Sequence, residues 1–242
     1  MSSRLRKMLQ MNPSREYLAK FAQRAAQAAQ PGARVLDAGA GDCPYSAVFS
    51  HARYETTDFC QVDKVYGKIS FISNLANLPV KAESYDLIFC SQTMEHLPAP
   101  GQALAELHRV LRPGGQLWLS APLFFMEHEA PYDFYRYTRY GMAYLLDQAG
   151  FEVESIEWLE GYFGTLSYQL RLGARAIPVR GRDYGGGLPG WIMAVLAWPI
   201  KLFMAGLSIG YARLDLKKKY TANGMCKNYA VIARKRNKTE VD

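Results

Sequence analysis

Val35-Leu36-Asp37-Ala38-Gly39-Ala40-Gly41-Asp42-Cys43 reads as a short apolar strand running into a glycine-rich turn. Gly39 and Gly41 let the backbone turn sharply and approach a ligand closely. Such a turn suits a dinucleotide or another adenosine-bearing ligand. Two details discriminate between these. A GxGxxG fingerprint needs Gly at position 44, where Pro44 stands. Asp37 lies two residues before the first glycine, where its carboxylate repels a pyrophosphate and attracts a ligand carrying an ammonium group. Downstream, the second apolar run ends in Asp58. A carboxylate at that strand end can accept hydrogen bonds from both hydroxyls of a ribose.

Outward from this turn, strands and helical segments alternate. Strands are predicted at Arg34 to Asp37, Tyr54 to Asp58, Ile69 to Ser73 and Tyr85 to Cys90, then at Gln116 to Ala121, Phe151 to Trp158 and Tyr229 to Ala233. The continuously apolar middle of the fourth strand suits a strand buried on both faces of a parallel sheet. Glu16 to Ala29 reads as a helix ended by Pro31-Gly32. Gln102 to Leu111 reads as a second, with Leu104, Leu107, His108 and Leu111 on one stripe and Pro113-Gly114-Gly115 stopping it. Thr138 can N-cap a third helix, which Gly150 ends. This alternation predicts an α/β fold with a mostly parallel sheet. The pattern breaks between Leu159 and Asn228, where a long stretch carries a strongly apolar run, residues 188–211.

The 242 residues are 49% hydrophobic and 21% charged, a globular composition that excludes collagen-like, mostly disordered and disulfide-scaffold classes. The net charge of +7 is unevenly spread. Residues 1–34 hold seven Lys/Arg against one acid, and residues 213–242 nine against three. The body between them is acidic, so a uniformly basic nucleic-acid-binding face is disfavoured. Cys43, Cys60, Cys90 and Cys226 have no CxxC spacing and no His pair at zinc-like intervals. They are read as reduced thiols of a cytoplasmic chain, and no metal site is expected. The N-terminus has no secretory-signal pattern.

Taken in order, Val35 to Gly41, Asp58, Asn74-Leu75-Ala76-Asn77-Leu78-Pro79, Tyr85-Asp86-Leu87-Ile88, Glu95-His96 and Leu107-His108-Arg109-Val110-Leu111-Arg112-Pro113-Gly114-Gly115 follow a known succession. The chain resembles class I S-adenosylmethionine (SAM) methyltransferases, most of all the type-11 group that includes ubiquinone/menaquinone-type enzymes. The resemblance covers roughly residues 30–160 and the final strand. It implies a Rossmann-like fold with a seven-stranded, mostly parallel sheet and a helical insertion before the last strand. It also implies SAM as cofactor. Asp37, Gly39 and Gly41 would then hold the methionine end, Asp58 the ribose, Asn74 the adenine amino group and Leu75 an adenine face. Ser91 and Gln92 would face the methyl donor. Asn74 replaces the usual Asp but keeps a carbonyl acceptor. Cys43 stands where many members have a third glycine.

A base helps methyl transfer to a hydroxyl and is dispensable for a neutral amine. His96 follows the fourth strand, where α/β sheets place their sites; it either accepts a proton or packs the turn at Leu97-Pro98. Glu127 to Thr138 forms a polar and aromatic segment after the fifth strand, resembling a family variant with a His-x-x-Pro-x-Asp-x-x-Arg-x-Thr pattern. There His128 is a candidate base. Asp133 either orients it or pairs with Arg136. His51 and His108 fall on predicted helices and carry no assigned chemistry. No Asn-Pro-Pro-Tyr string is present, which disfavours a nucleic-acid base as acceptor.

The run at 188–211 has the length of a bilayer span. Its nine Leu/Ile/Val/Phe residues favour insertion by roughly 3–5 kcal/mol, and the near-central Lys201 opposes it by about 2.5–3.5 kcal/mol. Trp191, Trp198 and Tyr211 suit a lipid interface. Arg171, Arg175, Arg180 and Arg182 precede the run and Lys217-Lys218-Lys219 follow it, a flanking that anionic lipid attracts. The alternatives are a helical lid and a homodimer interface.

The sequence thus predicts one methyltransferase domain over 1–242. Its parts are a helical segment (1–32), a SAM-binding core (33–160), an amphipathic helical insertion (161–227), the last strand (228–235) and a basic tail (236–242). The expected reaction is SN2 methyl transfer to an O or N nucleophile of a small or lipid-linked acceptor, in a cytoplasmic protein peripheral to an anionic membrane. A soluble sugar or secondary metabolite is the alternative acceptor, and a non-catalytic SAM-binding or membrane-associated module the alternative role. A basic-tailed RNA methyltransferase is the most distant reading.

Overall fold

The computed structural model describes residues 12–236; the remainder of both basic ends, including 237–242 of the expected basic tail, lies outside the described residues. Helix α1 (Pro13–Ala28) leads into β1 (Arg34–Ala38), β2 (Arg53–Asp58), β3 (Phe71–Ile72) and β4 (Tyr85–Ser91). Helix α2 (Pro100–Val110), β5 (Leu111–Pro122), α3 (Arg139–Gln148) and β6 (Phe151–Trp158) follow. Helices α4 (Tyr162–Ala176) and α5 (Gly187–Lys217) precede β7 (Asn228–Lys235). The described residues form two units: 17–159 with 228–236, and 160–227 with 12–16.

The first unit holds the sheet, ordered β3-β2-β1-β4-β5-β7-β6. β7 runs antiparallel to both neighbours and the other pairings are parallel. This is the predicted α/β architecture. Alternate residues serve opposite faces of the sheet, and both faces are covered. Leu36, Ile88, Leu117 and Leu119 pack with Leu104 and Leu107 of α2 and Met142 and Leu146 of α3. Val35, Leu87, Phe89 and Trp118 pack with Phe21, Ala22 and Ala25 of α1. Phe21 meets Trp118 at 5.2 Å between ring centroids. The strand order reverses direction between β1 and β4, and the crevice at that switch point is where open α/β sheets bind ligands.

Several local expectations change. The link between β1 and β2 holds only a 3₁₀ turn, Ser46–Phe49, and β3 is two residues long. His51 therefore lies in a turn rather than a helix, with Nε2 3.1 Å from the Ala29 carbonyl. β5 begins at Leu111, so Pro113-Gly114-Gly115 is taken into an irregular strand start instead of a loop. A Cβ on Gly115 would lie 2.9 Å from the Asp86 carbonyl oxygen, so the strands approach too closely there for any side chain. Thr138 caps α3 as predicted, accepting the Gly141 N–H at 3.1 Å.

In the second unit α4 packs against α5. A Cβ on Gly173 would fall 2.4 Å from Met204 Cε, and Ser208 Oγ donates to the Ser167 carbonyl at 2.8 Å. The polar groups at the base are paired: Ser14 donates to Glu160 at 2.6 Å, and Lys227 donates to Ser14 at 3.0 Å. Burial lowers the Lys227 pKa to about 8. Helix α5 is the predicted apolar run extended to 31 residues through Pro199. It is not amphipathic. Trp191, Ile192, Met193, Val195, Leu196 and Trp198 are all exposed, and consecutive positions cannot share one helical face. Lys201 is tied down: its ammonium donates to the Ile177 carbonyl at the end of α4, 2.8 Å away.

Candidate active site

The turn after β1 owes its shape to left-handed residues. Gly39 (φ +82°) and Gly41 (φ +55°) both occupy that region, and so does Cys43 (φ +55°). The third glycine expected of the family would relieve backbone strain at Cys43. Gly39 is also closely packed, since a Cβ there would lie 2.2 Å from the Thr93 side chain. The Gly39 and Ala40 amides donate to the Thr57 carbonyl, which pins the turn to the end of β2. Asp58 completes this junction. Its carboxylate accepts the Gly41 N–H at 3.0 Å and the Cys60 N–H at 3.1 Å.

These elements border a cavity of about 310 Å³ at the carboxyl ends of the strands, near the lower end of the range for small-molecule sites (about 300–1,000 Å³). Gly39, Asp58, Asn74 and Leu75 line it, with Ile72 beside them. A buried carboxylate acceptor at the β2 end beside two apolar side chains fits an adenosine, ribose hydroxyls on the one and a flat base on the others. Asp37, Gly41 and Ser91 do not line it. Asp37 is buried behind the turn and accepts a hydrogen bond from the Tyr54 hydroxyl. Burial raises its pKa to about 7, against the stabilising pull of Tyr54. Ser91 faces sideways to Ser120, 2.9 Å between hydroxyls, while its neighbours Gln92 and Thr93 reach the cavity. Of the two residues expected to face the methyl donor, Gln92 lines the cavity and Ser91 does not; the chain leaves β4 at Gln92 (φ +54°), and Thr93 lines the cavity as well. Asn74 Oδ1 accepts the Ala76 N–H at 2.9 Å, so the acceptor expected to meet adenine is partly committed to a local turn.

On the other side of the cavity stands His96, in a 3₁₀ turn after β4. Its Nδ1 bonds the Tyr132 carbonyl. Burial holds its pKa below the ordinary value, so it is uncharged at neutral pH. His128 comes from the loop after β5 and lies against His96, ring centroids 4.7 Å apart. It does not line the cavity itself. Asp133 contacts both Arg136 and the His128 segment. It forms a two-pronged pair with Arg136 at 2.7 and 2.8 Å, and it accepts the His128 backbone N–H at 2.8 Å. Arg136 holds its carboxyl well below the usual range. Arg136 also donates to the carbonyls of Phe125 and Met126, each at 3.0 Å, so one guanidinium knots the whole loop. Glu95, beside His96, is fully buried and has its pKa raised to about 8 by that burial.

Phe59, Gln61 and Lys64 line the cavity unpredicted, and they meet Glu129 and Tyr132 of the segment already singled out after β5. Lys64 bonds Glu129 at 2.9 Å, Tyr132 Oη donates to Gln61 at 3.1 Å, and Phe59 meets Tyr132 edge-on at 5.0 Å. These contacts clasp the segment after β2 to the loop after β5. They join residues far apart in sequence, and no local pattern signals them.

A family model described as a methyltransferase domain matches residues 10–156. A Mycolicibacterium smegmatis protein named "Probable S-adenosylmethionine-dependent methyltransferase" is 33% identical over 138 residues, 51% of this chain and 53% of the relative. A malonyl-[acyl-carrier protein] O-methyltransferase of Methylococcus capsulatus is 32% identical over 37% of this chain and 38% of its own length. A ubiquinone biosynthesis O-methyltransferase of Hahella chejuensis is 30% identical over 39% and 45%. The chain thus spans about half or less of the length of the curated relatives it matches. Among solved structures, the cyclase SpnF superposes with a TM-score of 0.54 at 18% identity, covering 90% of this chain and 82% of SpnF. The Bacillus subtilis YcgJ protein does so with a TM-score of 0.50 at 14% identity, covering 92% and 99%. Such likenesses speak to fold alone, since one fold hosts different reactions.

Proposed function

The chain belongs to the methyltransferase domain family, whose methyl donor is S-adenosylmethionine, and from that premise we propose that it catalyses SN2 methyl transfer to an oxygen nucleophile, or a nitrogen, of a small or lipid-linked acceptor. The observation that carries this reading is one cavity bordered by both halves of a site: Asp58, Asn74 and Leu75 toward a cofactor, His96 toward an acceptor. SAM supplies a methyl group already activated on a sulfonium. The protein's share is to hold the two reactants in line and to take up a proton. Asp58 binds the ribose hydroxyls, Leu75 and Asn74 the adenine, and the Gly39–Gly41 turn the methionine end, with Asp37 beneath it as countercharge. Alignment of this kind can supply much of the rate. His96 is the candidate base, since the Tyr132 carbonyl holds the proton on Nδ1 and leaves the Nε2 lone pair free to accept another. His128 meets it edge-on and Asp133 holds the His128 backbone N–H. The O-methyltransferase names of two relatives favour oxygen over nitrogen. Incubation with methyl-labelled SAM and separate lipid and aqueous extracts should transfer label, and His96→Ala should reduce it at least about a hundredfold. Labelling by the intact protein in neither extract would overturn the reading.

A second observation favours an acceptor at a membrane. Helix α5 is long and apolar enough to cross a bilayer, with a mean hydropathy of 1.9 and only 17% of its most apolar window buried. Lys201, the main cost of inserting it, already has the Ile177 carbonyl as partner. The cations at Arg171, Arg175, Arg180, Arg182 and Lys217 to Lys219 suit the anionic, cytoplasmic leaflet. The chain should therefore float with vesicles containing phosphatidylglycerol, and replacing Trp191, Leu196 and Phe203 by Ser should abolish flotation. If the protein stays at the bottom of the gradient and sediments as a dimer, the helix is a homodimer surface instead.

A further inference from the structure

Glu95, His96 and His128 each offer a ligand atom, and these atoms lie within 4.8 Å of one another. Glu95 is fully buried, and neither of its carboxylate oxygens has a hydrogen-bond partner. A buried carboxylate in that condition costs several kcal/mol unless a cation or a proton satisfies it. His96 Nε2 is 3.9 Å from Oε1, too far for a hydrogen bond. Arg136 does not serve it, because that guanidinium is spent on Asp133 and on the carbonyls of Phe125, Met126 and Tyr135.

Both imidazoles are oriented as metal ligands are. His96 Nδ1 bonds the Tyr132 carbonyl. His128 Nδ1 is 3.2 Å from the Met126 carbonyl and 3.4 Å from Asp133 Oδ2. A carbonyl or carboxylate on one ring nitrogen keeps the proton there and leaves the other nitrogen as a lone-pair donor. The set is therefore two imidazole nitrogens and one carboxylate oxygen, a donor combination suited to zinc. Bond lengths of about 2.0–2.2 Å place tetrahedral ligand atoms about 3.3–3.5 Å apart, so the three side chains need only close inward slightly. The neighbouring charges agree. Asp133 is paired with Arg136 and Glu129 with Lys64, whereas Glu95 forms no direct ion pair with a Lys or Arg among the described residues.

We propose that Glu95, His96 and His128 form a binding site for a divalent transition-metal cation of the zinc class, at the edge of the cavity lined by His96. Three protein ligands leave a coordination position open, which takes an oxygen of water or of an acceptor. No metal-ligand spacing exists in the sequence, because His96 and His128 are far apart in the chain. The parallel pairing of β4 with β5, Ser91 opposite Ser120, brings the segments after the two strands side by side. With a cation bound, both imidazoles are ligands, and the proton His96 would have accepted leaves for solvent. The proposal thus bears on how the proposed methyl transfer handles its proton, not on whether it occurs.

The test uses tag-free, chelator-treated protein titrated with Co²⁺ alone. One equivalent should bind, with the visible absorption of a low-coordinate cobalt site, and Zn²⁺ should bleach it. Glu95→Gln and His128→Ala should each weaken cobalt binding at least about tenfold, while thermal melting monitors the fold. His128→Asn, which keeps much of the side chain's size and polarity, serves as the second variant should His128→Ala fail to fold. Absence of stoichiometric cobalt binding, or unchanged binding in the folded variants, overturns the proposal. SAM binding is measured on the same chelated protein. If SAM binds and cobalt does not, the metal site falls and the methyltransferase reading stands.

Discussion

Asp58→Ala should weaken SAM binding by about two to four powers of ten. Two charge-assisted hydrogen bonds to ribose hydroxyls contribute about 1.5–3 kcal/mol each, and each 1.4 kcal/mol is a factor of ten. The carboxylate also accepts the Gly41 and Cys60 amides, so its loss loosens the glycine turn at the same time. Asp58→Asn retains one acceptor oxygen and should fall between wild type and Ala. Calorimetry reads the affinity. The melting temperature of the free protein should change little by comparison, since the residue lies at a strand end rather than in either apolar core. Retention of full affinity in Asp58→Ala would remove Asp58 from the cofactor site.

Arg136→Ala should act on turnover rather than on cofactor binding. It deletes two hydrogen bonds to Asp133 and those to Phe125, Met126 and Tyr135. Asp133, whose side chain is 5% exposed, is left without a counterion. Stranding a buried charge costs about 3–5 kcal/mol, and less here because Arg136 itself is partly exposed. The loop's cheapest escape is to open, which moves His128. A displacement of an ångström in reacting groups costs about a hundredfold in rate, so kcat should fall by that order. SAM affinity should stay within severalfold, since Asp58, Asn74 and Leu75 belong to other segments. Arg136→Lys should recover only part of the activity, because an ammonium cannot replace the two-pronged pairing. Equal loss of cofactor affinity and turnover would mean that the loop shapes the cofactor side as well.

What could be read from the residues alone depended on how local its cause was. Phe151–Trp158 was bounded correctly because Gly150 ends one helix and the strand's own alternation begins at once. Thr138 was legible as a cap for the same reason. Gly39 and Asp58 were legible because they stand at the ends of two apolar runs, whereas Leu75 came only from the family resemblance. Within residues 59–84 the strand predicted at Ile69 to Ser73 is present but shrinks to Phe71–Ile72, since only those residues pair with β2. The Lys64–Glu129 pair and the meeting of Glu95, His96 and His128 depend on which strands lie side by side. They became visible only with the sheet order. Helix α5 was recognised as apolar, but its lack of a polar stripe shows only when exposure is mapped around it.

The most direct test of a SAM-using enzyme is calorimetric titration of the intact chain with SAM at pH 6 and pH 8. Asp37 is half protonated near pH 7 in the free protein. A bound sulfonium and ammonium favour its carboxylate, so binding below pH 7 must expel a proton and binding above it need not. One saturable site is expected, roughly tenfold weaker at pH 6 than at pH 8. A pH-independent affinity would remove Asp37 as the countercharge beneath the cofactor. No saturable binding at either pH would contradict the account as a whole.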